Sequence, residues 1–220
     1  HQYTSVQSMS PRPRKLNLLR WLPNSLVTTS GPRAQRTLYL SFDDGPHPEH
    51  TPRLLDLLAE HEAKATFFLI GNQIEANAAL VGRIAAEGHT LGNHSMNHPH
   101  FEQLSLTEQM QEVDETDRLL SSIDGRTRHS FRPPRGVLTL PMLARFLRQR
   151  RRVDYWSYDS LDYSRRPAAE LIEVMRRHPL RAGDIILMHD DSPISLEMLT
   201  ALIPAWKAEG FSLHALPRDK

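Results

Sequence analysis

From Thr37 onward, short apolar runs alternate with longer segments whose apolar positions recur every three or four residues. The runs TLYLSF (37–42), ATFFLI (65–70), VDYWSY (153–158) and DIILMH (184–189) have strand length and predict strands, with shorter ones at 89–92, near 129–131 and at 211–214. The segments between them predict helices over about 48–61, 73–87, 105–122, 140–151, 167–178 and 194–208. Pro48 suits a first helical turn, Gly88 suits a C-terminal stop, and Ser105 with Glu108 matches the capping-box pattern. About seven strand–helix steps at this spacing argue for a parallel sheet with helices outside it, either closed as a barrel or open and doubly wound. At 220 residues, with no internal repeat and no linker, a single domain with a sizeable core is expected.

Residues 1–36 depart from the alternation. They carry Arg12, Arg14, Lys15, Arg20, Arg33 and Arg36 without an acidic residue, and Pro11, Pro13, Pro23 and Pro32 exclude a long helix. They read as a basic arm, wrapped on or trailing from a domain over 37–220. The reading preferred is a solvated extension, and the other is an arm that touches a polyanion or a membrane surface. The stretch LNLLRWLPNSLV is interrupted by Arg20 and Pro23, and no apolar run approaches the roughly 20 residues of a transmembrane helix. The chain starts at His1 rather than Met, as a processed or trimmed form would, and a periplasmic or secreted location is slightly favoured.

Charged residues make up 24% of the chain and the net charge is +1, so neither a polycation for nucleic acid nor the acidic excess of a disordered chain is present. The absence of cysteine excludes disulfides, thiolate ligands and a cysteine nucleophile. Any metal would have to be held by His, Asp and Glu, and there are twelve histidines to supply it.

In barrels and open parallel sheets alike, chemistry collects where strands end. There the chain places Asp43 and Asp44, then HSMNH with His94 and His98 four apart, then RPPRG, DSLDY and MHD. A spacing of four puts both rings on one face of a helical turn. Two imidazoles and one carboxylate, with open positions for water and substrate, form a usual hydrolytic metal site. His94, His98 and one of the two aspartates supply it, and the other aspartate would act as base on the neighbouring water. The basic run ARFLRQRRR (144–152) falls at a helix C-terminus, where cations complement the dipole, and reads as a solvated end.

SFDDGP, HSMNH, RPPRG, DSLDY and LMH, in this order and with these gaps, resemble the polysaccharide deacetylases of the NodB homology type, carbohydrate esterase family 4. The resemblance covers about residues 37–214. It implies an α/β fold, a distorted (β/α)7 TIM-like barrel, and removal of N-acetyl groups from a GlcNAc-containing glycan such as a chitooligosaccharide or peptidoglycan. It also implies a divalent metal, with Zn2+ first and Co2+ or another divalent ion as alternatives. Residue by residue, it makes Asp43 the general base, Asp44, His94 and His98 the ligands, and Arg132 the partner that holds Asp43. It makes His189 the general acid, positioned by Asp162. Leu187 would line the acetyl pocket, and Pro134, Arg135 and Tyr163 would border the sugar, the backbone N–H of Arg135 helping to stabilise an oxyanion.

Two positions depart from the family pattern. Arg135 stands where tyrosine is common, and Tyr163 where tryptophan is common, so both differences fall on the groove rather than on the metal, base or acid. A cation at Arg135 suggests an acidic saccharide, unless it points to solvent. Three other readings remain open: an O-acetyl xylan esterase, a hydrolase of small cyclic amides, and a carbohydrate-binding relative that has lost catalysis.

Overall fold

The computed structural model describes residues 9–13, 22–23 and 26–217. Its strands are β1 (Val27–Thr28), β2 (Thr37–Asp43), β3 (Thr66–Leu69), β4 (Thr90–Asn93), β5 (Val153–Asp154), β6 (Tyr158–Asp159), β7 (Ile185–His189) and β8 (Ser212–His214). Its helices are α1 (His50–Glu60), α2 (Gly71–Ala76), α3 (Ala78–Ala86), α4 (Leu106–Asp124), α5 (Leu140–Gln149), α6 (Ala168–Arg177) and α7 (Ile194–Ala208).

The ladders are parallel in the order β6–β7–β2–β3–β4, with β8 beside the first residues of β2. From β4 the sheet continues through a bridge at Phe131, which pairs with Asn93 on one side and Val153 on the other. The segment from Val153 to Asp159 thus starts beside Phe131 and ends beside β7. This change of neighbour closes the sheet into the distorted (β/α)7 barrel, as expected.

The two-residue period of the strands sorts their side chains into layers. Leu38, Leu40 and Phe42 of β2, Phe67 and Leu69 of β3, and Ile186 and Met188 of β7 join the core under α1, α3, α6 and α7. Each such side chain contributes about 1.5–3 kcal/mol by its burial. The alternate residues face the barrel interior, where Tyr39, Phe68, Ile185 and Leu216 pack together. Asp43 and His189 have this inward parity, and the strand register makes them direct neighbours across β2 and β7. A second outer core under α4 and α5 contains Phe101, Met110, Val113, Phe131, Met142, Phe146, Val153 and Tyr155.

Local chemistry explains several helix ends. The capping box at Ser105 and Glu108 opens α4, and Gly125, at φ 72°, closes it. Thr139 caps α5 by accepting from the Met142 N–H at 3.3 Å. At α1 the cap is an imidazole: Nδ1 of His47 accepts from the backbone N–H groups of Glu49 and His50 at 3.1 and 3.2 Å.

Three elements differ from expectation. The helix over 73–87 is two helices, broken at Asn77 (φ −136°), whose side-chain amide donates to the Gln73 carbonyl at 3.0 Å instead of leaving the backbone to continue. The strand near 129–131 is one bridged residue, because Pro133 and Pro134 follow and lack the N–H groups a ladder needs. The strand over 153–158 is two short ones: Tyr155 N–H turns to Thr28 O at 2.7 Å and Ser157 N–H to Ile185 O at 3.0 Å.

Parts of residues 1–36 are tied to the barrel, whereas Pro32 to Arg36 are exposed. β1 pairs with β5, Asp159 N–H donates to Pro11 O at 2.7 Å, and Arg12 grips Asp184 with two bonds of 2.8 and 2.9 Å. Arg14, Lys15 and Arg20 lie outside the described residues, as does most of LNLLRWLPNSLV. The run 144–152 is likewise only partly solvated. Arg151 is buried against Asp117 at 2.7 Å, and Arg152 holds Asp154 at 3.0 Å. Among the described residues, no helix is long and apolar enough to cross a membrane.

Candidate active site

Asp43 ends β2 on the inward face, and the next residue leaves the ladder. Asp44 has φ 74°, a left-handed conformation that aspartate tolerates better than most residues. Two consecutive carboxylates therefore approach one centre from different directions.

The histidines arrive by a different route from the one their spacing suggests. β4 ends at Asn93, and residues 94–98 form an irregular loop, with Ser95 at φ 71° and His98 at φ 52°, so the expected helical turn is absent. Glu112 of α4 fixes this loop: its carboxylate accepts from the backbone N–H groups of Met96 and Asn97 at 2.9 and 2.8 Å, and from the Asn97 amide at 2.9 Å. Ser95 Oγ accepts from His98 N–H at 3.0 Å. The two rings still converge, edge to face, with centroids 5.0 Å apart.

Nε2 of His94 and Nε2 of His98 each lie 3.3 Å from Oδ1 of Asp44. That oxygen is buried and has no hydrogen-bond partner. Nδ1 of His94 faces the Arg132 carbonyl at 2.6 Å and donates to it, so a neutral ring presents a lone pair at Nε2. Two imidazole nitrogens and an unpartnered carboxylate oxygen all face one point, within 4.8 Å of one another, and this group suits a divalent metal. Burial disfavours the Asp44 carboxylate, but the imidazoles of His94, His189 and His98 beside it outweigh burial and hold it down to about 2. Burial, then the neighbouring His94, lowers His98 below its ordinary value and favours the neutral ring that a ligand needs.

Asp43 is differently engaged. Its Oδ1 accepts from Arg132 Nη1 at 2.9 Å, and its Oδ2 lies 3.7 Å from His94 Nε2, farther than Asp44. Arg132 is completely buried and makes four bonds with its five N–H groups: Nη1 also donates to Ser41 Oγ at 2.8 Å, Nε to Asp154 O at 3.0 Å and Nη2 to Tyr155 O at 2.7 Å. Its guanidinium lies over Phe68, 4.1 Å from the ring centroid.

On the opposite side, Asp162 holds His189 twice, accepting from the ring Nδ1 at 2.8 Å and from the backbone N–H at 2.6 Å. Only Nε2 is left to face the centre, 3.9 Å from Asp44 Oδ2. Burial penalises the imidazolium, but the Asp162 hydrogen bond and charge, with Asp43 and Asp44 beyond, outweigh it and push His189 up to about 10.

The remaining positions from the sequence lie around this group. Leu187 is buried on β7, two residues before His189. Pro134 is buried and opens the single turn Pro134–Gly136, within which Arg135 has φ 57°. Arg135 is exposed, but its guanidinium bends toward the histidine loop, 3.3 Å from Pro99 O and 3.5 Å from His98 O. Tyr163 is 57% exposed, sets its ring edge against His189 with centroids 5.6 Å apart, and donates to Asp159 at 2.9 Å. Sequence reasoning missed Ser41, Glu112 and the buried Asp190. Ser41 carried a legible signal in the inward parity it shares with Asp43, and Asp190 stood in the strand-end MHD with no role assigned to it.

Residues 30–150 match the family model described as polysaccharide deacetylase. The chain is 34% identical over 197 residues to a chitooligosaccharide deacetylase of Rhizobium leguminosarum bv. trifolii, covering 83% of this chain and 91% of that one. It is 32% identical over 201 residues to a peptidoglycan-N-acetylglucosamine deacetylase of Bacillus cereus, covering 90% and 73%. Among solved structures, the Bc1960 peptidoglycan N-acetylglucosamine deacetylase superposes with a TM-score of 0.84 at 32% identity, covering 90% of this chain and 94% of that one. Bacillus subtilis PdaA, a family 4 carbohydrate esterase, gives 0.80 at 27% identity, covering 93% and 88%. With the family pattern matched over more than half of its length and a relative 34% identical spanned over 91% of its own length, the chain belongs to the polysaccharide deacetylase family.

Proposed function

We propose that the protein is a metal-dependent N-deacetylase that hydrolyses the acetamido group of a GlcNAc-containing glycan. The observation that carries this reading is the pairing of Asp43 and His189 as neighbours across β2 and β7, on either side of the Asp44, His94 and His98 group. Chitooligosaccharide and peptidoglycan deacetylases among the relatives support the substrate class.

Asp44, His94 and His98 would hold the ion, and zinc suits two imidazoles with one carboxylate. Such an ion supplies a Lewis acid for the acetamide carbonyl and an acidified water. The residues of the chain do the rest. Asp43, with Oδ1 fixed by Arg132, keeps Oδ2 free to take a proton from the attacking water. The backbone N–H of Arg135, in its left-handed turn, is the donor assigned to the developing oxyanion. His189 gives its Nε2 proton to the departing nitrogen, which leaves as an amine rather than as an unstable anion. Asp162 orients that ring and favours its charged form. Leu187 receives the acetyl methyl, while Pro134, Arg135 and Tyr163 border the sugar.

Acetate release tests the proposal on a panel of chitooligosaccharides, peptidoglycan fragments and acetylxylan. Release from an N-acetylated glycan, abolished by chelation and restored by zinc, is expected. Release from acetylxylan alone would replace the proposal with an O-acetyl esterase, and no release from any glycan would overturn it.

A further inference from the structure

The residue after His189 takes no part in the scheme above, yet it is buried against the turn that carries Asp44. Asp190 is 1% exposed, and its carboxylate lies against the backbone of Gly45. A Cβ at position 45 would stand 2.3 Å from both carboxylate oxygens, so only glycine leaves room for it. Oδ2 accepts from Thr51 Oγ1 at 2.6 Å, and the same Thr51 oxygen accepts from the His47 N–H at 2.8 Å. Oδ1 has no hydrogen-bond partner. A buried carboxylate with one unpaired oxygen opposes folding, so its presence points to a local requirement.

That requirement is visible in the turn it touches. Asp44 sits in a left-handed conformation between the end of β2 and Gly45, outside any ladder. One tie fixes the turn on the β3 side, where Gly45 O accepts from Ile70 N–H at 3.0 Å. On the β7 side, the tie is the chain from His47 N–H through Thr51 to Asp190.

We propose that Asp190 is a positioning residue: with Thr51 it clamps the Gly45–His47 turn against the end of β7, and so sets where the Asp44 carboxylate stands relative to His94 and His98. The inference rests on Asp44 as a metal ligand. Residues that orient ligands from behind change metal affinity by about 10–100-fold when removed.

Zinc affinity of the full chain, measured by chelator competition with folding followed by circular dichroism, tests the clamp without any substrate. Asp190→Ala and Thr51→Val should each weaken zinc by about 10–100-fold. The double variant should be no weaker than the worse single one, because both remove the same tie. Thr51→Ser, which keeps the hydroxyl, should stay close to wild type. If Asp190→Ala does not fold, the contrast between Thr51→Val and Thr51→Ser carries the same test. Wild-type affinity in Thr51→Val, or losses that add in the double variant, would overturn the clamp alone. A wild type that binds no zinc would overturn the ligand assignment and the clamp with it.

Discussion

The two sides of this barrel are held together by different means. Along β3, β2 and β7 the strands run for four, seven and five residues, and apolar side chains cover their outer faces. Along Phe131, β5 and β6 the pairing shrinks to one or two residues. Carbonyls that a ladder would serve there, those of Asp154 and Tyr155, are taken by the Arg132 guanidinium. The regular side is held by long ladders and packing and lends its strand ends to chemistry. The irregular side needs a buried cation, and the same cation reaches across to Asp43. Site and scaffold are therefore separable on one side and inseparable on the other.

The sharpest way to break this contrast is at the strand end itself. Asp43→Asn should lower acetate release by about 10²–10⁴-fold, the usual worth of a general base, while metal content stays at the wild-type level. His98→Ala should lose metal and activity together. Loss of metal in Asp43→Asn would show that the two aspartates do not divide their roles.

Next in size is the irregular side. Arg132→Met leaves Asp43 and two carbonyls without their donor, and removing one partner of a buried pair costs about 3–5 kcal/mol. The urea midpoint should fall accordingly, and activity with it. A variant that kept its stability and lost only turnover would mean that Arg132 serves Asp43 and not the barrel.

The regular side carries a smaller and pH-dependent polar contact. His89 accepts the Ala65 N–H at Nδ1 (3.1 Å), which requires an unprotonated ring nitrogen. Burial, then the charge of Lys64, lowers this histidine from 6.5 to about 4. Between those two values the unfolded chain binds the proton and the folded chain does not. Stability should therefore fall as pH drops from about 6.5 to 4, by roughly 2–3 kcal/mol. Urea unfolding at pH 7 and pH 4.5 should show this fall in the wild type and a shallower one in His89→Gln. Equal falls would place the acid sensitivity elsewhere.

The smallest effect is expected at the rim. Tyr163→Phe removes an exposed bond to Asp159, and should change unfolding stability by less than about 0.5 kcal/mol. A larger loss would make that rim part of the scaffold.

How much of this the sequence reveals follows the same division. β2, β3 and β7 are legible because strands covered on both faces read as continuous apolar runs. Phe131 and the break after Asp154 are not, since their pairing depends on where the barrel closes and on a guanidinium over twenty residues away along the chain. The ligand, base and acid side chains stand out as charges at strand ends. The path between His94 and His98 does not, because two left-handed residues and the Glu112 carboxylate, rather than helical periodicity, bring the rings together. The link between Thr51 and Asp190 is hidden for a related reason. They meet only in three dimensions, and nothing in either segment advertises the other.

The pairing of Val27 and Thr28 with Val153 and Asp154 bears on how the domain is trimmed. A version starting at residue 37 would retain every side chain around the metal group. It would also bare the outer margin of β5, a row of unpaired backbone donors and acceptors open to a second chain. Self-association and precipitation, rather than lost chemistry, would then be the first sign that the arm had been cut too short.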